Sequence, residues 1–388
     1  MSRVLIAAGG TGGHVYPALA VAAQLRDRGH DVAFAGGTRL EAAAVPEAGF
    51  VLHRVPGRGL PRRPTLQGVL AAADLIRSVR VSRRLIRETA TDVVLGMGGY
   101  VSVGPCVAGG MLGLPVVLHE QNAHLALSHR LCLRWASALA LSLPLPGGLP
   151  RGWSSDSGGR RRATVVGNPL RPQIAALAMA DEADRRRMRS DSRSSFGLDP
   201  SAPTLLAFGG SLGGRAINEC LPPSAGSLPA HTQILHIAGS GRSAPVSEAY
   251  AGSPVRVVVV DYVADMQRAY AAADVAVTRS GGAVAELTAL GLPSVLVPGS
   301  WATGGHQEAN ARALEAGGAT VVVIETQPEL QRRLTEALAT ILTDDSRRAT
   351  MGAAARAMGR PRAAGDLAEL VESLARSRGR EHPEPPHN

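Results

Sequence analysis

The 388 residues suit two domains of ordinary size better than a single core. Composition is globular, 45% hydrophobic and 19% charged, and the formal net charge is +9, with every one of the 41 basic residues an arginine. Aromatic residues are 3% of the chain and no nucleic-acid reading motif occurs, so charge alone does not make a case for a nucleic-acid partner. No window holds the roughly 20 apolar residues of a spanning helix. Cys106, Cys132 and Cys220 are an odd, scattered set without metal-ligand spacing, which argues against a disulfide framework or a zinc site and for a reducing, cytoplasmic setting.

Apolar runs alternate with amphipathic stretches. "VLIAAGGTGGHVYPALA" predicts a strand over Val4–Ala8, a glycine turn and a helix over Tyr16–Arg28, and a second strand follows at Asp31–Ala35. Residues 65–88, "TLQGVLAAADLIRSVRVSRRLIRE", have helical periodicity with Ala72, Leu75, Val79 and Ile86 as the core stripe. On another side Leu66, Val69, Leu70 and Ala73 continue into Arg77, Arg80, Arg84 and Arg87. Strands at Val93–Leu95 and Pro115–His119 run into "GMGGYVSVGP" and "HEQN". "LPLPGGLPRGWSSDSGGRRRA" is a surface loop, Ala163–Val166 a strand, and "GNPLR" (Gly167–Arg171) the crossing into the second half.

There, "ADEADRRRMRSDSRSSFG" predicts a charged helix. Strands follow at Thr204–Phe208, Gln233–Ile237, Val255–Val260, Val275–Thr278, Ser294–Val297 and Ala319–Val323, with a helix over Gly305–Ala316. This βαβα rhythm in two blocks predicts an α/β fold of two Rossmann-like doubly wound domains, 1–167 and 168–345, facing a ligand cleft at the carboxyl ends of both sheets. Residues 346–376 are expected to form a helical segment returning to the first domain, and 377–388 a disordered tail.

The chemistry starts from phosphate. Glycines at a strand-to-helix turn allow close backbone approach, and the helix N-terminus offers N–H groups and partial positive charge. "GGTGGH" and "GGSLGG" each meet that description, and neither fits the dinucleotide fingerprint or the nucleotide-hydrolysing P-loop. Polar residues at the end of a strand, His119, Glu120, Gln121 and Asn122, face a cleft unless Asn122 merely caps the next helix. Glu286 falls early in a helix after a Ser-Gly turn, and Gln307 and Asn310 lie near another helix start. Each either binds a polar ligand or satisfies local backbone.

The ordered series "GGTGGH", "GMGGYVS", "HEQN", "GNPLR", "GGSLG", "DYVADM", "RSG…AEL…GLP" and "HQEANA", from Val4 to about Gly318, resembles the MurG family of peripheral membrane glycosyltransferases of peptidoglycan synthesis. The resemblance implies a two-domain GT-B architecture. It also implies a hexosyltransferase that moves N-acetylglucosamine from UDP-GlcNAc to the 4-hydroxyl of lipid I, giving lipid II. It places Thr11, Gly12, Gly13, Asn122, Arg171, Ser211, Val263, Glu286 and Gln307 around the donor, with Val263 at the uracil, Glu286 at the ribose hydroxyls and Gln307 beside the sugar. It implies the cytoplasmic face of an anionic membrane and the cell-wall synthesis machinery as partners, and the Leu66, Val69, Leu70 turn followed by Arg77, Arg80, Arg84 and Arg87 suits anionic lipid, a solvated basic face being the other reading of an arginine stripe. The chain departs from the family pattern in a Ser280–Glu286 turn one residue short, in "GGYVSVGP", and in "AHLALSHR" after "HEQN".

An α-linked donor and a β-linked product imply a single inverting displacement. No Asp-X-Asp triplet is present, so neither a metal nor another cofactor is expected, and helix N-termini, glycine amides and Arg171 take the electrostatic role. His14, present only in the first glycine loop, is the expected general base, with binding of diphosphate as its other role and Glu120 as the second candidate base. Two other classes share some of these features. One is a nonhydrolysing UDP-GlcNAc epimerase, recognised by release of free epimerised sugar. The other is a basic nucleic-acid-binding protein.

Overall fold

The computed structural model describes residues 1–57, 66–155, 161–210, 214–299 and 305–381, with every side chain among them except those of 66–72 and 377–381. It comprises two compact units, Met1–Arg171 together with Arg362–Asn388, and Pro172–Pro361.

The first unit winds through β1 (Arg3–Ala8), α1 (Gly12–Asp27), β2 (Asp31–Gly36), α2 (Glu41–Glu47), β3 (Val51–Arg54), α3 (Leu66–Glu88), β4 (Val93–Gly98), α4 (Val103–Met111), β5 (Val116–Glu120), α5 (Leu127–Cys132), β6 (Ala138–Leu141) and β7 (Arg162–Val165). Its strands pair in parallel in the order β3-β2-β1-β4-β5-β6-β7. β4 and β5 are buried at every residue, as continuous apolar runs in a sheet covered on both faces must be. The order reverses between β1 and β4, and a doubly wound sheet opens its ligand crevice at that switch point.

β3 and β6 are additions to the expected strands. "VLHR" is a half-exposed edge strand, and "ALAL" has helical propensity that pairing with β5 and β7 overrides.

α3 lies close against α4. A Cβ at Gly104 would meet Ser78 Oγ at 2.1 Å, so the contact line needs small residues. Ser78, Ser82, Leu85 and Ile86 accordingly face inward, while the expected Leu75 and Val79 are only half-buried. Ala72, like Leu66, Val69 and Leu70, lies outside the described side chains.

The second unit comprises α6 (Pro172–Met179), α7 (Glu182–Ser195), β8 (Thr204–Phe208), α8 (Arg215–Ser224), β9 (Gln233–Ile237), α9 (Ser243–Ala249), β10 (Arg256–Val260), α10 (Met266–Ala272), β11 (Val275–Thr278), α11 (Ala283–Leu290), β12 (Ser294–Leu296), α12 (His306–Ala316), β13 (Thr320–Val322), α13 (Leu330–Thr343) and α14 (Asp345–Met358). Its parallel sheet has the order β10-β9-β8-β11-β12-β13, repeating the first unit's reversal between β8 and β11. Asp181 and Asp344 cap α7 and α14, accepting the N–H of Asp184 and of Arg347, each at 2.8 Å.

The last helix, α15 (Ala363–Glu381), belongs to the first unit. Two expectations change here. The returning segment starts at Arg362 rather than 346, because α14 packs on α11 and α13 and buries Met351 and Ala355. Residues 377–381 are helical rather than disordered, since no proline interrupts the helix before Pro383. α15 sinks Leu367, Ala368, Val371 and Ala375 into the core beside α1. At its rim Glu372 meets His30 Nε2 at 3.1 Å and Arg28 at 3.6 Å. Leu367 has no exposed surface. Leu367→Ala should therefore lower stability by about 2–5 kcal/mol, read as a shift of the urea midpoint with unchanged slope.

Candidate active site

In the first unit, β1 delivers the chain to a glycine turn and α1 starts at Gly12. Thr11 is extended at the N-cap, yet its side chain does not cap the helix, and the first turn holds no carboxylate. The amides at this helix start therefore keep their partial positive charge for an anion. The Thr11 hydroxyl instead lies 3.2 Å from His14 Nδ1.

The third glycine turn packs directly beneath that imidazole. Gly98 has φ +103°, and a Cβ there would come within 2.7 Å of His14 Cδ2. Its neighbour Gly99 (φ +78°) would meet Gly9 O at 2.5 Å. Only glycine allows both the left-handed backbone and this approach.

Sequence reasoning missed Glu41, which is 2% exposed. Its carboxylate accepts the N–H of Gly10 at 2.9 Å and of Gly37 at 3.0 Å, tying the turns after β1 and β2 together. The available signal was an acidic residue opening a helix four positions after a Gly-Gly pair.

β5 ends in three polar groups, each given an internal task. His119, fully buried, donates from Nε2 to Gly167 O at 2.8 Å. Burial, stronger than the raising effect of that hydrogen bond, brings its pKa down to about 4 and keeps it neutral. Gln121 Nε2 donates to Met97 O at 2.6 Å.

Glu120 is also fully buried. Its Oε1 accepts the N–H and Nδ2 of Asn122, both at 3.0 Å, and its Oε2 accepts Ala126 N–H and His129 Nδ1, both at 2.8 Å. Burial raises the carboxyl pKa, but His129 and these donors outweigh it and hold the group at about 2. His129 lies within "AHLALSHR", the stretch after "HEQN" noted above, and no local pattern points to its pairing.

In the second unit, β11 leads through Arg279 and Ser280 to α11. Ser280 Oγ donates to Gln307 O at 2.7 Å, and Asn310 Nδ2 donates to Ser280 O at 3.0 Å, so α12 is locked onto this turn. Arg279 is buried, with bonds to Val297 O at 3.0 Å and to Glu325 at 2.9 Å. Glu286 sits half-buried in the first turn of α11. Its Oε2 accepts the hydroxyl of Tyr270, a residue of α10, at 2.6 Å. After β10, Asp261 accepts the N–H of Arg242 and Ser243 at 2.9 and 2.8 Å, which shapes the turn that carries Val263.

Residues 4–141 match the glycosyltransferase family 28 N-terminal domain and residues 204–367 its C-terminal domain. The chain belongs to glycosyltransferase family 28. A relative from Nocardioides is 39% identical, covering 96% of this chain and 98% of its own length, and one from Desulforudis audaxviator is 36% identical over the same shares. Both are named UDP-N-acetylglucosamine--N-acetylmuramyl-(pentapeptide) pyrophosphoryl-undecaprenol N-acetylglucosamine transferase. The solved structure of Acinetobacter baumannii MurG is 27% identical with a TM-score of 0.77, covering 96% of this chain and all of that one. The calicheamicin glycosyltransferase CalG4, at 20% identity and a TM-score of 0.65, shares the fold. The family 28 chain is thus a glycosyltransferase of the GT-B type with two parallel-sheet α/β domains.

In this glycosyltransferase Thr11, Gly12, Gly13 and His14 come together at the end of β1, with Asn122 after β5 and the half-buried Arg171 closing the first stretch of the unit. Val263, Glu286 and Gln307 follow β10, β11 and β12 in the second unit, and Ser211 lies outside the described residues. Two roles change. A fully buried carboxylate with four donors and a pKa of about 2 is no base for an incoming hydroxyl, so Glu120 organises the loop that carries Asn122. Gln307 is buried, and its Oε1 accepts Gly299 N–H at 2.8 Å, which leaves its carbonyl oxygen committed to backbone.

His119 generates a pH prediction. Unfolded, its imidazole takes a proton near pH 6.5, and folded only near 4, so within that window unfolding takes up a proton and stability falls as pH falls. The loss is about 2 kcal/mol between pH 6.5 and 5. Glu120, whose folded pKa is depressed from 4.5, adds little to this slope until the pH nears that value, and adds to it with the same sign below. Urea titrations across the window should show His119→Gln taking up about one proton fewer on unfolding than the wild type.

Proposed function

We propose that this glycosyltransferase moves N-acetylglucosamine from UDP-GlcNAc to the 4-hydroxyl of undecaprenyl-diphospho-N-acetylmuramoyl-pentapeptide, giving lipid II with inversion at the anomeric carbon. The observation that carries the proposal is the similarity, over 96% of the chain, to relatives named for that transfer. The same similarity favours transfer over epimerisation.

The geometry fits a division of labour. In the tautomer that donates Nδ1–H to Thr11, His14 carries its lone pair on Nε2, and it is that nitrogen that takes the acceptor proton as the glycosidic bond forms. The departing diphosphate is met by helix N-termini, glycine amides and Arg171. Glu286 accepts the ribose hydroxyls, and the Tyr270 hydroxyl fixes the carboxylate's rotation. Asn122, held through both its amides by Glu120, meets the sugar.

Radiolabelled UDP-GlcNAc with a lipid I analogue, followed by product and anomer analysis, tests the reaction. Free epimerised sugar instead of a β-linked disaccharide lipid would overturn it. In that assay His14→Ala should lower kcat by about two orders of magnitude with donor affinity retained. Glu286→Ala should weaken UDP binding by about 2–4 kcal/mol. A His14→Ala enzyme with near-normal saturated turnover would reassign His14 to binding.

The membrane contact is assigned to α3 of the first unit. Arg77, Arg80, Arg84 and Arg87 are exposed, and the helix adds two apolar residues that the sequence reading had not singled out, Ile76 (55% exposed) and Val81 (36% exposed). Arg84 also pairs with Glu88 at 2.6 Å, an exposed i,i+4 contact that yields readily to lipid phosphate. No helix among the described residues is long and apolar enough to cross a membrane. Each arginine near an anionic surface contributes about 1 kcal/mol before screening. Reversing all four to Glu should abolish sedimentation with phosphatidylglycerol vesicles while turnover of a short-chain, water-soluble lipid I analogue survives. Undiminished vesicle binding by the folded variant removes α3 from the contact.

A further inference from the structure

The second unit holds a cavity of about 520 Å³ away from the ends of the strands that carry the donor residues. Asp274, Leu292 and Pro293 line it, and these precede β11 and β12, whereas Ser280 and Glu286 follow β11. The cavity therefore opens at the amino end of the sheet. Its volume is that of a small-molecule site.

Four guanidinium groups surround it. Arg185 and Arg189 sit one turn apart on α7, and Arg348 and Arg356 come from α14. The carboxylates in the lining are Glu182 and Asp274, so arginine charge exceeds acidic charge by two.

Much of that acidic charge is already committed. Asp274 Oδ2 is held at 2.6 Å by Arg193, which also takes the carbonyl of Ala272 at the end of α10. Arg348 is engaged by Asp345 and by the carbonyls of Ile341 and Leu342. The remaining three are held loosely. Arg185 stands 3.6 Å from Glu182 and Arg189 stands 3.9 Å from Asp274, both too long for a hydrogen bond. The Arg356 side chain makes no ion pair or hydrogen bond among the described residues, its backbone carbonyl alone accepting the N–H of Gly359 beyond the helix ladder. It lies over Gly291, the left-handed residue that ends α11, where a Cβ would meet its Nε at 2.8 Å. Space for this guanidinium thus depends on a glycine.

Forked donors with hydrogen-bonding capacity to spare around a concave space match phosphate oxygens, and the Leu292 and Pro293 floor matches an apolar body. We propose that this cavity binds a small, water-soluble phosphate monoester with an apolar body, held by Arg185, Arg189 and Arg356.

Tyr270 gives the site a route to the reaction. Its ring lines the cavity, and its hydroxyl is the donor to Glu286. A ligand that shifts the ring also shifts the carboxylate, and UDP and the phosphate ester then alter one another's affinity by the same factor. This coupling rests on the ribose role of Glu286, and the binding itself does not.

Phenyl phosphate titrated into the full-length protein by calorimetry, with UDP saturating the donor site and ionic strength held constant, tests the proposal. Saturable one-site binding is expected for phenyl phosphate and none for phenol. Arg189→Ala/Arg356→Ala should lose at least tenfold in affinity, and the corresponding double lysine variant should recover part of it. Because the Arg356 side chain is exposed and holds no other group of the described protein, Arg356→Gln alone should keep the wild-type melting temperature and still bind several-fold more weakly. Absence of saturable binding in the UDP-loaded wild type, or wild-type affinity in the folded arginine variants, overturns the site. If phenyl phosphate binds but leaves UDP affinity unchanged, the coupling is overturned. If UDP itself does not bind, the donor proposal fails, and the same titration without UDP still decides the cavity.

Discussion

A carboxylate removed from water must be surrounded by donors, and in the first unit that requirement organises everything around the strand ends. Glu120 meets it with two backbone amides, one side-chain amide and an imidazole, all within six to nine residues or fewer of chain. The loop after β5 therefore has little freedom to fold otherwise. Glu41 does the same across a longer distance, holding Gly10 and Gly37 to one another through one side chain. With these loops fixed, Gly98 and Gly99 can press against His14 and Gly9 closely enough to set the imidazole's position.

The second unit reaches the same end without a buried carboxylate at its centre. Ser280, Gln307 and Asn310 exchange backbone and side-chain hydrogen bonds, so the turns after β11 and β12 move together if they move at all. Arg279 anchors the arrangement from below through Val297 and Glu325. The turn from Ser280 to Glu286 is held in this frame: α11 begins at Ala283, and Glu286 occupies its first turn, where a carboxylate is favoured by the helix dipole. Tyr270 restrains one of its oxygens.

Much of the fold was legible in the sequence because parallel strands buried on both faces are continuous apolar runs. β8, β9 and β11 fall on the expected residues for that reason. β6 escaped because "ALAL" carries no preference for a strand until β5 and β7 enclose it. The inner face of α3 was misjudged because hydrophobicity was followed, whereas the close approach of Gly104 favours Ser78 and Ser82. Among the site residues, Thr11, His14 and Asn122 stood out as polar groups at strand ends, and Glu286 as a carboxylate early in a helix. Glu41, His129 and Tyr270 did not, since each acts on a residue in another element or loop and has no local pattern.

By itself the sequence determined the alternation of strands and helices, the two-block division and the places where glycine turns meet helix starts. These follow from periodicity and backbone sterics, which act over a few residues. Tertiary structure alone decided which carboxylates are internal braces and which stay partly open to solvent. Glu120 and Glu286 are the same residue type in the segments that follow parallel strands, the first closing β5 and the second in the first turn of the helix after β11. One is fully buried under four donors and the other half-buried with a tyrosine on one oxygen. That difference depends on what other elements bring to each carboxylate, His129 from α5 and Tyr270 from α10, and packing rather than local sequence sets it.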